Sequence, residues 1–194
     1  LGGTYSPEAG ENFPIMMTSN VNLIGQGEEV TIIDAMQTNR VITMENCENN
    51  VISDLTITGG NEAHWGGGMR LYSSNPTLTH VTISGNTAGY DGHGMHLTYS
   101  NPTLTHVTIA NNTGNGGHGM SLYTSDPTLT HVTISGYTTI YVNGGMFLTY
   151  SNPTLTNVTI SGYTSSFDCA GMRLYESNPT LTHVTISENT SEQF

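Results

Sequence analysis

The sequence is organised by a repeat of 25 to 26 residues. Five copies share a Pro-Thr-Leu-Thr segment that follows Asn or Asp, and a methionine recurs with the same steps. A degenerate copy starts at Val51, and residues 1–50 read as further irregular coils, so about seven copies fit. The prolines are Pro76, Pro102, Pro127, Pro153 and Pro179, and the methionines are Met69, Met95, Met120, Met146 and Met172. A fixed period of this length is typical of solenoid proteins, in which each copy forms one turn, or rung.

Apolar residues alternate with period two within each copy. In one copy they are Met69, Leu71, Leu78, Val81 and Ile83. Such alternation in Thr- and Val-rich runs, bounded by Asn-Pro and Gly clusters, predicts three short strands per rung rather than helices. Rungs stacked about 4.8 Å apart pair each strand with its equivalents above and below and bury a continuous core. The sequence therefore predicts an all-β fold, a single-stranded parallel β-helix.

Three features carry a resemblance to a known class: the unit NPTLTHVTISGN, the Gly-Gly-Gly-Met strand entry at residues 66–69, and the opening residues 3–5 with residues 21–25. Together they resemble secreted bacterial right-handed parallel β-helix repeat proteins of the pectate-lyase-like superfamily. The resemblance implies a right-handed solenoid, and the general rule for parallel crossovers agrees. We expect a single domain over residues 1–194, with irregular rungs in 1–50 and regular repeats in 51–194, either whole or an excerpt of a longer chain. This fold hosts polysaccharide lyases, hydrolases, adhesins and structural repeats, so it does not select one function.

Composition narrows the functional classes. The chain has a net charge of -12 with only three Lys plus Arg, which excludes nucleic-acid binding because phosphates need clustered cations. No apolar run approaches the roughly 18 residues of a membrane span. A Thr-, Asn- and Gly-rich acidic chain suits an extracellular location, either secreted or on the cell surface. Cys47 and Cys169 fall almost five rungs apart, too far for a disulfide, which needs Cα atoms within about 7 Å.

A glycan-binding strip is predicted where the repetition breaks. The loop before each methionine varies and contributes aromatic and acidic residues, and Tyr recurs on every second copy of the first strand, about 9.6 Å apart. Aromatic faces stack on sugar rings and carboxylates accept hydrogen bonds from sugar hydroxyls, so a polysaccharide or cell-surface glycan is the expected partner. Cross-strand packing of the tyrosines is an equal alternative. The candidates are Trp65, Tyr90, Tyr141, Phe167, Asp168, Tyr72, Tyr123 and Tyr175.

The leading hypothesis is a non-catalytic extracellular β-helix module, a rigid surface or filament element that displays this strip. A carbohydrate-active enzyme, a lyase or a hydrolase, is the first alternative. Its catalytic candidates are Asp91, His93 and His118, since His93 lies one rung below His118. Elimination in the resembled class uses Ca²⁺ held by several carboxylates beside a basic residue. No acidic trio meets an Arg in adjacent rungs of this sequence. We therefore predict no cofactor and no metal site, with Ca²⁺ as the one ion that the resemblance implies.

An ice-binding protein is the second rival. Two Thr residues flank an inward Leu on every regular rung, which predicts two outward hydroxyl columns about 6.6 Å apart along the strand. Thr is also a favourable strand residue, so the columns have a purely structural alternative. The next corner carries a column of His residues, read as a stack. The sequence stops directly after a full strand, and an uncovered strand edge is a template for pairing with another chain. End-to-end self-association is therefore a further expectation. The threonines are Thr77, Thr79, Thr103, Thr105, Thr128, Thr130, Thr154, Thr156, Thr180 and Thr182.

Overall fold

The structure is a computed structural model that describes residues 2–136, 143–165 and 169–191. Over these residues the chain is an all-β parallel solenoid of about seven turns. A single 3-10 turn at Pro7–Ala9 accompanies the strands in this part of the chain. The predicted parallel β-helix, with repeats stacked rung over rung, is confirmed.

The first sheet collects the first strand of each rung. Its seven strands are parallel, and the methionines pair in one column, as do the leucines two residues later. The repeat period therefore sets the register of the whole sheet. The strands are Ile15–Met16, Ile42–Glu45, Met69–Tyr72, Met95–Thr98, Gly117–Tyr123, Asn143–Thr149 and Met172–Tyr175.

The second sheet holds the second and third strands of each rung. Three of its strands run through both positions and bend at Asp54, His80 and His106, whose φ angles of 56, 50 and 52° are left-handed. Later rungs break into two strands at the same corner, at His131, so three strands per rung follow. Its strands are Gly3–Tyr5, Leu23–Ile24, Thr31–Asp34, Val51–Thr58, Thr77–Ser84, Thr103–Ala110, Thr128–Thr130, Thr133–Ser135, Thr154–Thr156, Thr159–Ser161, Thr180–Thr182 and Thr185–Ser187.

Short strands close the third side of the solenoid. Asn61–Glu62, Thr87–Ala88 and Thr113–Gly114 form one parallel group, and Thr164–Ser165 pairs with Thr190–Ser191. The loops that lead from this side back to the first sheet carry the variable aromatic and acidic residues. The fold thus places these loops beside the outward face of the first sheet.

The interior consists of side-chain columns. Met95, Leu97, Leu104 and Ile109 are fully buried, and their equivalents pair above and below them. Two polar columns also run inside. Buried Ser100 donates its hydroxyl to a backbone carbonyl and accepts the amide of the rung before it. The buried asparagines Asn86 and Asn112 form the second column at the corner after the third strand.

The last rung differs from the inner rungs in its exposure. Leu174, Leu181 and Ile186 expose 45, 47 and 47% of their surface, whereas the equivalent residues of inner rungs are buried. Cys47 is buried and Cys169 is exposed, and both are free. No helix in the described ranges combines the length and apolarity that crossing a bilayer requires.

Candidate functional site

Five tyrosines form a continuous ladder along one margin of the first sheet's outward face. Adjacent ring centroids lie 5.6 to 6.1 Å apart, and adjacent ring planes meet at 77 to 87°. This is the edge-to-face geometry that aromatic pairs favour. Each ring still exposes between 36 and 51% of its residue surface. The tyrosine ladder consists of Tyr72, Tyr99, Tyr123, Tyr150 and Tyr175.

The ladder arises from two different backbone positions. Tyr72, Tyr123 and Tyr175 end their strands, as the sequence predicts. Tyr99 and Tyr150 lie one residue later, at corner positions with φ angles of 52 and 51°. The left-handed corner turns their rings into the gaps that the strand-end tyrosines leave. Sequence reasoning missed these two residues because it followed one strand position, although Leu-Tyr and Leu-Thr-Tyr alternate visibly from rung to rung.

The opposite margin is an aromatic cluster on the loops before the first-sheet strands. His64, Trp65 and Tyr90 lie within 5.7 to 6.1 Å of one another by ring centroids. Trp65 also stacks on His96 at 5.8 Å. Arg40 fixes this loop, because its guanidinium donates to the carbonyls of Trp65 and Gly66 and pairs with Glu62 at 2.9 Å. The cluster is therefore held from behind by a partly buried cation.

Between the two margins lies a groove of about 390 Å³. His96 on its floor hydrogen-bonds Ser121 through Nδ1 at 2.6 Å and Thr98 through Nε2 at 3.1 Å. Arg70 pairs with Glu45 at 2.7 Å and lies over the Tyr72 ring. The groove thus combines aromatic walls with hydroxyl, imidazole and guanidinium groups. It is lined by Trp65, Arg70, Tyr72, Asp91, His96, Thr98, Ser121, Leu122, Tyr123, Phe147 and Thr149.

A second depression of about 600 Å³ adjoins the groove and shares Asp91 and Phe147 with it. Nδ1 of His118 lies 2.9 Å from Oδ1 of Asp91, and Nε2 of the same buried imidazole has no hydrogen-bond partner among the described residues. The Phe147 ring stacks on the His118 ring with centroids 5.0 Å apart. The guanidinium carbon of Arg173 lies over the Phe147 ring, 5.2 Å from its centroid. Asp91 and His118 therefore form an orientated pair next to the groove.

Burial affects the protonation states of the imidazoles and the carboxylate in and beside the groove. It lowers the pKa of His96 to about 4, against a smaller opposing effect of Asp91, so the imidazole is neutral near pH 7. Burial likewise lowers the pKa of His93. Burial alone would raise the pKa of Asp91, but the hydrogen bond from His118 and the nearby imidazoles together lower it. Asp91 is thus a carboxylate beside neutral His93 and His96.

The three catalytic candidates are brought together only in part. His93 lies directly one rung from His118, with its amide donating to the His118 carbonyl at 2.8 Å. Its Nε2, however, is engaged by the carbonyl of Gly116 at 2.6 Å rather than by Asp91. Within the described ranges no three His, Cys, Asp or Glu side chains converge on a point that could hold a metal ion. The Ca²⁺ expectation stays a prediction.

Three predicted glycan contacts, Tyr141, Phe167 and Asp168, lie outside the described residues. Of the other candidates, Trp65, Tyr72 and Tyr123 line the groove, and Tyr90 lines the second depression. Tyr175 ends the tyrosine ladder. Phe147 was absent from the predicted glycan contacts although it lines both depressions, because sequence reasoning weighed the tyrosine column beside it instead.

The ten predicted threonines form two columns on the second sheet, here called the threonine mesh. Their strands pair in register over five rungs, so Thr stacks on Thr throughout. The His corner borders the mesh, and His80, His106 and His131 stack with near-parallel rings 4.9 to 5.0 Å apart. The Asn column on the other side is a hydrogen-bonded ladder of side-chain oxygens and backbone amides.

Comparison with known proteins separates fold from function. No curated protein matches the chain. No solved structure matches it either. A family model described as a right-handed β-helix region matches residues 18–136, which is more than half of the chain. The register of the strands and this match agree, and the chain belongs to the right-handed β-helix family.

Proposed function

We propose that the chain is an extracellular, non-catalytic β-helix module that binds a glycan along the groove between the tyrosine ladder and the aromatic cluster. The observation that carries the proposal is the ladder itself. It offers half-exposed rings on five successive rungs, opposite Trp65 across a groove. Aromatic side chains with a polar tip are suited to surfaces that are apolar and wet at once, such as the faces and hydroxyls of sugar rings.

A neutral glycan fits the charges better than a polyanion. Arg40 and Arg70 are each paired with a glutamate, and the imidazole of His96 is uncharged near neutral pH. Asp91 adds a carboxylate that can accept hydrogen bonds from sugar hydroxyls. The whole chain carries a net charge of -12, which repels polyanions at low ionic strength. A chain of neutral hexoses therefore meets stacking surfaces and acceptors without this repulsion.

The test is affinity electrophoresis against soluble neutral and uronate polysaccharides. Tyr123→Ala removes the central ring of the ladder and should weaken binding about tenfold, since an aromatic stacking contact contributes on the order of 1 to 2 kcal/mol. Tyr123→Phe keeps the ring and should retain most of the affinity. Thr133→Ala, an exposed change on the second sheet, is the matched surface control. Equal binding by Tyr123→Ala and the control contradicts the site, and stronger binding to uronate polymers contradicts the neutral ligand.

A carbohydrate-active enzyme is the second candidate, and one observation favours it. Asp91 holds Nδ1 of His118, and Nε2 of this buried ring has no hydrogen-bond partner among the residues that the structure describes. In this case glycan incubated with the protein yields new reducing or unsaturated ends, and Asp91→Asn abolishes them while binding persists. Intact glycan after prolonged incubation favours the non-catalytic module.

Two further expectations belong to this proposal. Secretion or display at the cell surface gives a glycan-binding module access to its ligand. End-to-end self-association through parallel strand pairing is the second expectation. Sedimentation velocity over a range of protein concentrations tests self-association, because stacked rungs predict a concentration-dependent increase in mass.

A further inference from the structure

The threonine mesh is the most regular surface in the described part of the chain. Its strands are joined by equivalent hydrogen bonds at 2.9 to 3.1 Å, in which the amide of each first Thr donates to a carbonyl one rung earlier, that of Asn50 for Thr77 and that of a proline on the other four rungs. Strand geometry then spaces the hydroxyls about 4.8 Å apart between rungs and about 6.6 Å apart along each strand. The result is a regular two-dimensional array in which one residue type repeats ten times.

The hydroxyls of the mesh are available. Within residues 2–136, 143–165 and 169–191, none of the ten makes a hydrogen bond to another protein group. Thr98 and Thr82 do bond side chains, those of His96 and Glu28, whereas Thr108, Thr133 and Thr159 in the third strand resemble the mesh in making no side-chain bond among the described residues. Cross-strand hydrogen bonds between Thr hydroxyls, which can stabilise such columns, are absent from the mesh within the described residues. Each position presents one free hydroxyl and one methyl group instead.

The mesh is also nearly free of charge, although the whole chain has a net charge of -12. The column on one side is Asn on four rungs and Asp126 on the fifth, with its oxygens engaged by backbone amides. The column on the other side consists of His, with Asn157 on one rung. Ionic groups would bind their own hydration shells. Because few ionic groups border the mesh, its surface consists mainly of hydroxyl and methyl groups.

We propose that the threonine mesh binds the surface of ice. A contact repeated on every rung adds to affinity only when the ligand repeats with the same spacing, because a rigid array then engages all sites at once. Ice is a periodic lattice of hydrogen-bonding oxygens, and an uncharged array of hydroxyls and methyls is the kind of surface that can engage such a lattice. A crystalline polysaccharide is disfavoured, because sugar faces bind aromatic platforms and the mesh has none.

Thermal hysteresis and ice-crystal shape test this proposal directly. Thr128→Tyr places a bulky ring on the middle rung of the mesh and should remove most of the thermal hysteresis of the full chain. Thr133→Tyr makes the same substitution on the same rung, at an exposed position in the threonine column beyond the left-handed corner at His131, and should leave the hysteresis unchanged if the mesh alone binds ice. Tyr is a favourable strand residue, so both variants should fold, as circular dichroism can verify.

Two results overturn the proposal: wild-type protein that neither shapes ice crystals nor lowers their growth temperature, and equal loss of hysteresis in both variants. The outcome is independent of glycan binding, because the mesh and the groove lie on different sheets. Thr128→Tyr should retain glycan affinity, and Tyr123→Ala should retain thermal hysteresis.

Discussion

The buried asparagine column makes a quantitative prediction for Asn112→Ala. Oδ1 of Asn112 accepts the amide N–H and the side-chain N–H of Asn86, both at 3.0 Å, and its Nδ2 donates to the carbonyl of Ile83 at 2.9 Å. Alanine leaves the Asn86 amide and the Ile83 carbonyl without these partners inside the solenoid. Each buried backbone group that loses its partner costs about 1 to 3 kcal/mol, so the loss of two partners should lower the free energy of unfolding by about 2 to 6 kcal/mol.

Asn101→Ala is the matched control, because Asn101 belongs to the exposed ladder of the same rung. It accepts one backbone amide, that of Asp126, at a position open to water. Water can replace this bond, so the expected loss is below about 1 kcal/mol. Urea denaturation followed by circular dichroism measures both variants. The reasoning fails if Asn112→Ala costs no more than Asn101→Ala.

Two further predictions concern stability. The pKa of His96 is about 4 in the fold against 6.5 for the ordinary group, so the fold favours the neutral ring. Its contribution is complete above pH 6.5 and is lost as the pH falls towards 4, by up to about 3 kcal/mol. Urea midpoints at pH 7 and 4.5 should show this loss, and His96→Gln should reduce it; an unchanged loss in the variant refutes the assignment. Separately, a Cβ on Gly119 would lie 2.3 Å from Oη of buried Tyr163, so Gly119→Ala should destabilise by about 1 to 3 kcal/mol. Tyr163→Phe should relieve part of this cost in thermal melts, and purely additive losses would contradict the clash.

Register explains what could be predicted from the sequence. A strand that pairs with its own copy keeps equivalent residues in one column, so the buried Met and Leu columns and the threonine mesh follow from the period alone. The corners are different. Tyr99 belongs to the ladder because its own backbone adopts a left-handed φ angle, which the alternation of apolar residues does not predict. Asn86 likewise is buried inside a corner, where its side chain bonds backbone groups, and the alternation of apolar residues does not predict this position.

The loops explain the rest. Asp91 and His118 occupy different positions relative to their methionines, yet they meet across one rung at 2.9 Å. Column reasoning grouped Asp91, His93 and His118 as one candidate site, but it aligned His118 only with His93 and did not predict the contact between His118 and Asp91. The loop backbone departs from the strand register and brings non-equivalent residues together. A site assembled from such loops requires coordinates, whereas a site assembled from strands can be read from the repeat.

The two proposed surfaces differ in the kind of ligand that each can select. The groove changes on every rung, from Arg70 through His96 and Ser121 to Phe147, so each place along it offers a different set of contacts. A ligand held there is fixed in one position along the axis, as a specific glycan segment requires. The threonine mesh is identical on every rung and gives a ligand no preferred position. Only a ligand that is itself periodic gains from that uniformity, which is why the two faces of one solenoid can serve two chemically unrelated partners.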